Sequence, residues 1–224
     1  MFFEKFVNSK FYYILDQIVR VLWLNVLTLF FSLIGLVLFG FGPAILAGVY
    51  VVKLMINKYE GPITRVFFKA FKRFYKKATI IFILFAIFIG LFSFNLYYYI
   101  TKMNQSFLWF DFILFLVNFL LLILAFPAMV HSLLIYSCYE SNSIRSLIID
   151  GFKLSIAFIV RGLIFVVISF VILFINLLVP VTLFLVGLFL YLLAIQLVLF
   201  RAYDKISFFG NISNERADEL SSNI

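Results

Sequence analysis

The stretch that decides the class of this protein is Trp109–Ser137, which reads WFDFILFLVNFLLLILAFPAMVHSLLIYS and carries a single charged residue, Asp111. A helix needs about 20 apolar residues to cross a bilayer core of about 30 Å, so residues 109–137 are long enough to span a membrane. Further apolar runs cover residues 18–39, 43–59, 78–100, 162–179 and 180–200. The sequence therefore predicts an all-α, polytopic membrane helix bundle that forms a single domain over residues 1–224.

Composition excludes the other broad classes of protein. Apolar residues make up 66% of the chain and charged residues 12%, whereas a soluble domain has about 45–50% and about 25%. A core of this size could not hide that apolar surplus, and a disordered chain has the opposite balance. The single cysteine, Cys138, permits no intramolecular disulfide, and with a single histidine, His131, no Cys/His zinc site is expected. We expect no cofactor and no metal.

The distribution of basic residues favours six spans. With six spans and a cytoplasmic N-terminus, every lysine and arginine except Lys102 falls on the cytoplasmic side, which agrees with the positive-inside rule. A single kinked span over residues 18–56 would give five spans and a weaker asymmetry. We therefore predict a multi-pass protein of the bacterial plasma membrane with both termini in the cytoplasm.

The second of these spans is the weakest. A helix break is predicted at Gly40, Gly42 and Pro43, because glycine relaxes the backbone and proline removes a hydrogen-bond donor. Residues 43–59 are short for a full crossing and include Lys53 and Lys58, which could snorkel to the cytoplasmic interface. A re-entrant half-helix therefore remains an alternative to a full span. Residues 203–224 form a polar tail.

Residues 62–77, PITRVFFKAFKRFYKK, are predicted to form a basic amphipathic helix. Phe67, Phe71 and Phe74 recur at helical spacing on one face, and the cations surround the other face: Arg65, Lys69, Lys72, Arg73, Lys76 and Lys77. Such a helix is typical of the membrane interface, where each cation near anionic lipid contributes about 1 kcal/mol. We expect it to lie on the anionic inner leaflet as a topology anchor. A docking surface for a partner is the sharper alternative, and nucleic acid is not expected.

The first third of the chain carries a family resemblance. Its matching pieces are Trp23-Leu24-Asn25, Phe31-Ser32-Leu33, Gly42-Pro43-Ala44 with Ala47, Tyr50 and Lys53, then Glu60 and the run Phe67–Phe74. With these pieces the chain resembles the YesL-like bacterial membrane proteins, the DUF624 group, whose function is unknown. The resemblance implies a plasma-membrane protein of the kind often encoded beside carbohydrate ABC transporters and glycan-degrading enzymes. It implies no catalytic residues.

Polar residues within the spans are few, which argues against an enzyme. No carboxylate lies deep in a span, no HExxH zinc motif occurs, and no GxSxG nucleophile elbow occurs. Asn25, Asn118 and His131 are predicted to make hydrogen bonds between helices, with substrate contact as the alternative for the asparagines and a proton relay for the histidine.

The sequence leaves two hypotheses for function. The first is a non-enzymatic accessory or scaffold protein that contacts the permease subunits of a carbohydrate (oligosaccharide) ABC uptake system. It depends on the resemblance and on the lack of catalytic groups. The alternative is a small transporter or channel in its own right, which would need a polar cavity between the spans.

Overall fold

In the computed structural model, the residues described are 10–105, 108–139 and 143–200, together with residues 215, 218 and 219. Throughout that part of the chain every regular element is a helix, so the predicted all-α bundle is confirmed. The elements are α1 (Lys10–Ile34), α2 (Phe41–Ile56), α3 (Ile63–Gln105), α4 (Trp109–Cys138), α5 (Ile144–Ala157), α6 (Ile159–Leu178), a π-helical stretch (Leu183–Gly187), α7 (Leu188–Ala194) and a second π-helical stretch (Ile195–Phe200).

Five of these segments are long and apolar enough to cross a membrane: Ile14–Ile34, Ile63–Gln105, Trp109–Cys138, Ile159–Leu178 and Leu183–Phe200. The chain is therefore a multi-pass membrane protein, as predicted. The helix α2 is apolar but shorter than this group. The predicted span at 109–137 matches α4 to within one residue, and the run at 162–179 begins three residues later than α6 does.

The hairpin between α1 and α2 turns earlier than predicted. The first span was expected to reach residue 39, but α1 ends at Ile34 and residues 35–40 form the turn. Gly35 lies so close to the backbone of Gly40 that a Cβ atom at position 35 would overlap it. The predicted break at Gly40, Gly42 and Pro43 is displaced accordingly: Gly40 caps α2, and Gly42 and Pro43 lie in its first turn. Proline is tolerated there because the first amide groups of a helix have no intrahelical partner.

The helix α2 is the buried centre of the first half of the chain. Every residue from Gly42 to Leu54 is buried, so no face of this stretch is free to contact lipid. Glycine allows the close packing, because a Cβ atom on Gly42 would come within 2.7 Å of the Ala78 carbonyl oxygen. On the opposite side, Gly48 lies against the Leu192 side chain of α7. The short helix α2 is therefore a core element of the fold.

The basic segment and the third span form one continuous helix, α3, of 43 residues. The sequence predicted a separate interfacial helix at 62–77 followed by a span at 78–100. The change from a basic to an apolar composition does not end a helix, and no glycine or proline lies between Pro62 and Gly90. At about 1.5 Å per residue α3 is about 64 Å long, well beyond an apolar core of about 30 Å.

The hairpin of α1 and α2 packs beside the basic part of α3. The Thr79 hydroxyl of α3 donates a hydrogen bond of 2.8 Å to the Phe39 carbonyl in the hairpin turn. Further along α2, the Tyr50 ring stacks on Phe74 with a centroid distance of 5.7 Å. From Thr79 to Gln105, α3 continues for about 39 Å at about 1.5 Å per residue. The hairpin therefore stops far short of the other end of α3.

The second half of the chain contains a helix that the sequence reading missed. The helix α5 packs on α4, where Ser155 donates a 3.1 Å hydrogen bond to the Leu124 carbonyl. Ser143 is the N-cap of α5, because its side chain accepts a hydrogen bond from the Ser146 amide. Serine is a favoured N-cap residue, so this start signal was present in the sequence. The last predicted span, 180–200, contains one continuous helical segment, Leu183–Phe200, in which π-helical stretches flank α7 on both sides.

Candidate interaction surface

The basic segment of α3 has two faces, and the structure assigns them to different neighbours. Phe67, Ala70 and Phe74 are fully buried against protein. Phe31 of α1 completes the contact, with ring centroids 5.5 Å from Phe67 and 4.8 Å from Phe71. The predicted amphipathic pattern is therefore present, but the prediction that its phenylalanine face lies in lipid is wrong. The aromatic rings hold the α1–α2 hairpin instead.

The opposite face of the same segment presents cations. We call this face the basic stripe, and it comprises Arg65, Lys69, Lys72, Arg73 and Lys76. Lys69 is half-buried, whereas the other four are exposed. Because their positions lie on successive turns of one helix, the charges form a continuous band. Lys77, which the sequence grouped with them, points elsewhere: its Nζ atom lies 5.7 Å from the Tyr136 ring centroid.

An acidic residue from the C-terminal tail contacts the basic stripe. The Arg73 Nη1 atom lies 3.1 Å from the Glu219 carboxylate, and Lys69 Nζ donates a 2.7 Å hydrogen bond to the Glu219 backbone carbonyl. The other described residues of the tail, Glu215 and Asp218, are exposed and helical. The stripe can therefore hold an acidic peptide segment through both its side chain and its backbone.

An aromatic cluster at the same end of the bundle joins four helical segments. The Phe74 ring of α3 lies 5.7 Å from both Tyr50 of α2 and Tyr136 of α4. Phe200 packs edge-on against Tyr50, and Lys53 Nζ lies 4.8 Å from the Phe200 ring centroid. Lys53 is only 4% exposed, so it does not snorkel to an interface as the sequence suggested. The cation–π contact stabilises its charge within the cluster.

Arg20 attaches the first helix to the loop before α3. Its guanidinium donates hydrogen bonds to the carbonyl oxygens of Tyr59, Glu60 and Gly61 at distances of 3.2, 2.9 and 3.3 Å. Asp16, one turn earlier in α1, orients the guanidinium through a contact of 2.6 Å. The start of α3, and hence the basic stripe, is fixed relative to α1 by this clamp.

Asn25 connects α1 to the irregular part of the last span. Its amide nitrogen donates to the carbonyls of Leu183 and Phe184 at 2.9 and 2.6 Å, and its amide oxygen accepts from the Phe189 amide at 3.0 Å. The π-helical stretch Leu183–Gly187 departs from the α-helical bonding pattern, so its carbonyls need such a partner. The interhelical hydrogen bond predicted for Asn25 is present, and one sequence could not reveal its partner.

The other predicted polar contacts behave differently. Asn118 donates a 2.7 Å hydrogen bond to the Leu114 carbonyl of its own helix, and this bond does not join two helices. His131 is fully buried, with its ring 6.4 Å from that of Phe158.

At the far end of α3, Lys102 pairs with the buried Asp111 at 2.8 Å. Within the described ranges, no group of three His, Cys, Asp or Glu residues could hold a metal ion.

Two cavities between the helices have apolar linings. The larger, of about 430 Å³, lies between α3, α4, α6 and α7, with Ser169 and Tyr191 as its only polar lining residues. The Ser169 hydroxyl already donates to the Phe165 carbonyl at 2.7 Å. The smaller cavity, of about 130 Å³, is lined in part by Ser155, whose hydroxyl donates a hydrogen bond to the Leu124 carbonyl. Neither cavity offers a set of convergent polar groups for a sugar.

Comparison with known proteins gives one finding. The model of the family described as "Protein of unknown function, DUF624" matches residues 21–96. The match covers the later part of α1, all of α2 and most of α3, and it confirms the resemblance that the first third of the sequence carries. No curated protein and no solved structure matches the chain.

Proposed function

We propose that this protein is a non-enzymatic accessory or scaffold protein of a carbohydrate (oligosaccharide) ABC uptake system in the bacterial plasma membrane, with both termini in the cytoplasm. The observation that carries the proposal is that the two faces of the basic segment of α3 have different surroundings. One face is committed to the fold through Phe67 and Phe74, while the other presents the basic stripe to the exterior. A helix that is buried on one side and charged on the other is suited to present a docking surface.

The packing of the bundle supports an accessory over a transporter. A transporter would need a polar passage, but the centre of the first half is the closely packed α2, whose residues 42–54 are all buried. The larger cavity, between α3, α4, α6 and α7, is lined mainly by aliphatic and aromatic side chains. Solute sites carry a few convergent polar groups that orient the ligand, and these linings do not provide them.

The link to carbohydrate uptake comes from the family resemblance, and the partner's chemistry comes from the stripe. Permease subunits are neighbours in the same membrane, and acidic segments on their cytoplasmic surface would complement Arg65, Lys72 and Lys76. None of these three cations forms an ion pair with any described residue. They therefore supply the charge for a contact in trans.

The proposal is tested by measuring how much permease subunit co-purifies with the chain. The tagged chain is purified in mild detergent from cells grown on oligosaccharides, and the permease subunits are quantified by mass spectrometry. We expect the variant Lys72→Glu/Lys76→Glu to recover fewer permease subunits than the native chain. The matched control, Arg145→Glu/Lys153→Glu, reverses two exposed cations on α5 and should recover the native amount.

Two further measurements separate the accessory from a transporter. Deletion should impair growth on one class of oligosaccharide and leave growth on glucose intact. The purified chain alone should move no sugar in liposomes. Sugar flux by the chain alone would replace the accessory with a transporter, and equal permease recovery by the α3 and α5 variants would remove the stripe from the docking surface.

A further inference from the structure

The chain carries both halves of a charge-complementary contact. The positive half is the basic stripe on α3, and the negative half is the segment Glu215–Glu219, which holds three carboxylates within five residues. The two halves lie 146 residues apart in the sequence at the Arg73–Glu219 ion pair. Their contact is therefore a tertiary one that the fold has to bring about.

The contact has the form of peptide recognition. Lys69 and Arg73 are one turn apart on α3, and both reach Glu219: Lys69 bonds its backbone carbonyl at 2.7 Å, and Arg73 bonds its carboxylate at 3.1 Å. Positions 215, 218 and 219 are all helical, and residues three and four apart share one face of a helix. A carboxylate and a main-chain carbonyl are held together, which a lipid phosphate would not supply.

We propose that the basic stripe is a binding surface for an acidic helical peptide, and that the chain's own Glu219, which follows Asp218 and lies four residues after Glu215, occupies it as a displaceable cover. The proposal deepens the proposed function and rests on it, since the surface that the tail covers is the one through which the partner would dock. The partner is then recognised by the same chemistry: a helix with carboxylates at three- and four-residue spacing.

The strength of the contact is suited to displacement. The side chains of Arg73 and Glu219 are 30% and 57% exposed, and exposed ion pairs contribute only about 0–1 kcal/mol. Because the tail belongs to the same chain, its contact is intramolecular and needs no high intrinsic affinity, and a partner binds in competition with it. Arg65, Lys72 and Lys76 pair with no described acidic residue. A partner that engages them as well as Lys69 would outcompete the tail.

The experiment measures binding of the tail in trans to the full chain. A fluorescent synthetic peptide of residues 211–224, NISNERADELSSNI, is titrated with the purified chain in uncharged detergent at low salt, and its anisotropy is followed. The native chain, covered by its own tail, should bind the peptide weakly. The full-length variant Glu215→Gln/Asp218→Asn/Glu219→Gln should bind it about tenfold more tightly, which is the gain expected when an internal competitor that covers about nine-tenths of the chains is removed.

Matched variants show which residues are responsible for the change in peptide affinity. Asp150→Asn removes a partly exposed carboxylate of α5, which pairs with Lys153, and should leave peptide affinity at the native value. In the neutralised-tail background, Lys69→Gln/Arg73→Gln should abolish binding, whereas Arg145→Gln/Lys153→Gln should preserve it. A peptide with its own three carboxylates replaced by amides should not bind.

Contrary results would overturn the proposal. Equal affinity of the native and neutralised-tail chains would show that the tail covers nothing. Displacement of the tail by phosphatidylserine vesicles, with no binding of the acidic peptide to the uncovered chain, would make the stripe a lipid-binding surface. These readouts involve no permease. A failed peptide titration with a stripe-dependent permease interaction therefore refutes only the cover, and the reverse combination refutes only the carbohydrate-uptake partner.

Discussion

The two halves of α3 reverse the usual relation between hydrophobicity and burial. All of its buried residues lie between Ile63 and Phe85, the half that includes the basic segment. The far half carries a single charged residue, Lys102, yet many of its large apolar side chains are exposed, among them Leu91 at 61% and Phe94 at 70%. In a bilayer this is the expected outcome, because lipid tails are as apolar as leucine and exposed apolar residues carry no penalty.

This membrane protein uses one helix, α3, for two tasks. The far half of α3 is adapted to contact with lipid, which does not require precise shape complementarity. The near half carries charge, and its apolar face packs against α2 and the Phe31 ring of α1 with the tight geometry of a protein core. Substitutions should therefore affect the two halves unequally, and matched pairs of variants measure the difference.

The largest difference should come from removing a phenylalanine ring from each half. Phe74→Ala removes a fully buried ring that contacts Tyr50 and Tyr136, and such changes cost about 3–5 kcal/mol. We expect the unfolding midpoint in mild detergent to fall by roughly 6–20 °C. Phe94→Ala, the same change at an exposed position, should lower it by much less. Equal losses would mean that the halves of α3 are packed alike.

A smaller difference should come from adding a side chain to a glycine. In Gly42→Val the new atoms meet the Ala78 backbone oxygen, which cannot move aside, and overpacking of this kind costs about 1–3 kcal/mol. Gly90→Val is the control, since nothing lies within 4 Å of the position where its Cβ would be. Thermal scans should show a clear loss for the first variant and none for the second. A tolerated Gly42→Val would contradict the close contact of α2 with α3.

The smallest difference should come from the two asparagines. Asn25→Leu removes three hydrogen bonds to the last span, and polar contacts between membrane helices contribute about 0.6 to 2 kcal/mol. Asn118→Leu removes a bond to its own helix and should have little effect. Limited proteolysis in detergent should cleave the Asn25 variant faster. Identical digestion of both variants would show that the contact with the π-helical stretch contributes no stability.

The sequence predicted the features that depend on local pattern. The apolar run of α4 gave its bounds almost to the residue, since 109–137 is close to Trp109–Cys138. The periodicity of Phe67, Phe71 and Phe74 correctly separated an apolar face from a charged one. Asn25 was correctly expected to bond another helix. The first two follow from spacing along one element and the third from a polar side chain within an apolar run, so none of them needs knowledge of the neighbouring helices.

The features that the sequence reading missed depend on neighbours. Hydropathy cannot tell a face buried in lipid from one buried in protein, which is why the phenylalanine face was assigned to the interface. It also cannot show that α2 is enclosed on all sides, or that Lys53 ends over the Phe200 ring. The tail's carboxylates were visible as composition, but their partners on the basic stripe lie about 150 residues away.

The α1–α2 hairpin supports the near half of α3 and does not reach the far end of the bundle. Labelling of single cysteines with a membrane-impermeant thiol reagent in a Cys138→Ser background tests this arrangement directly. Gln105→Cys should react from the side opposite to Lys72→Cys, and Leu38→Cys, in the hairpin turn, should react from neither side of a sealed membrane. Labelling of Leu38→Cys from the same side as Gln105→Cys would show that the hairpin crosses the bilayer completely, and would contradict the account.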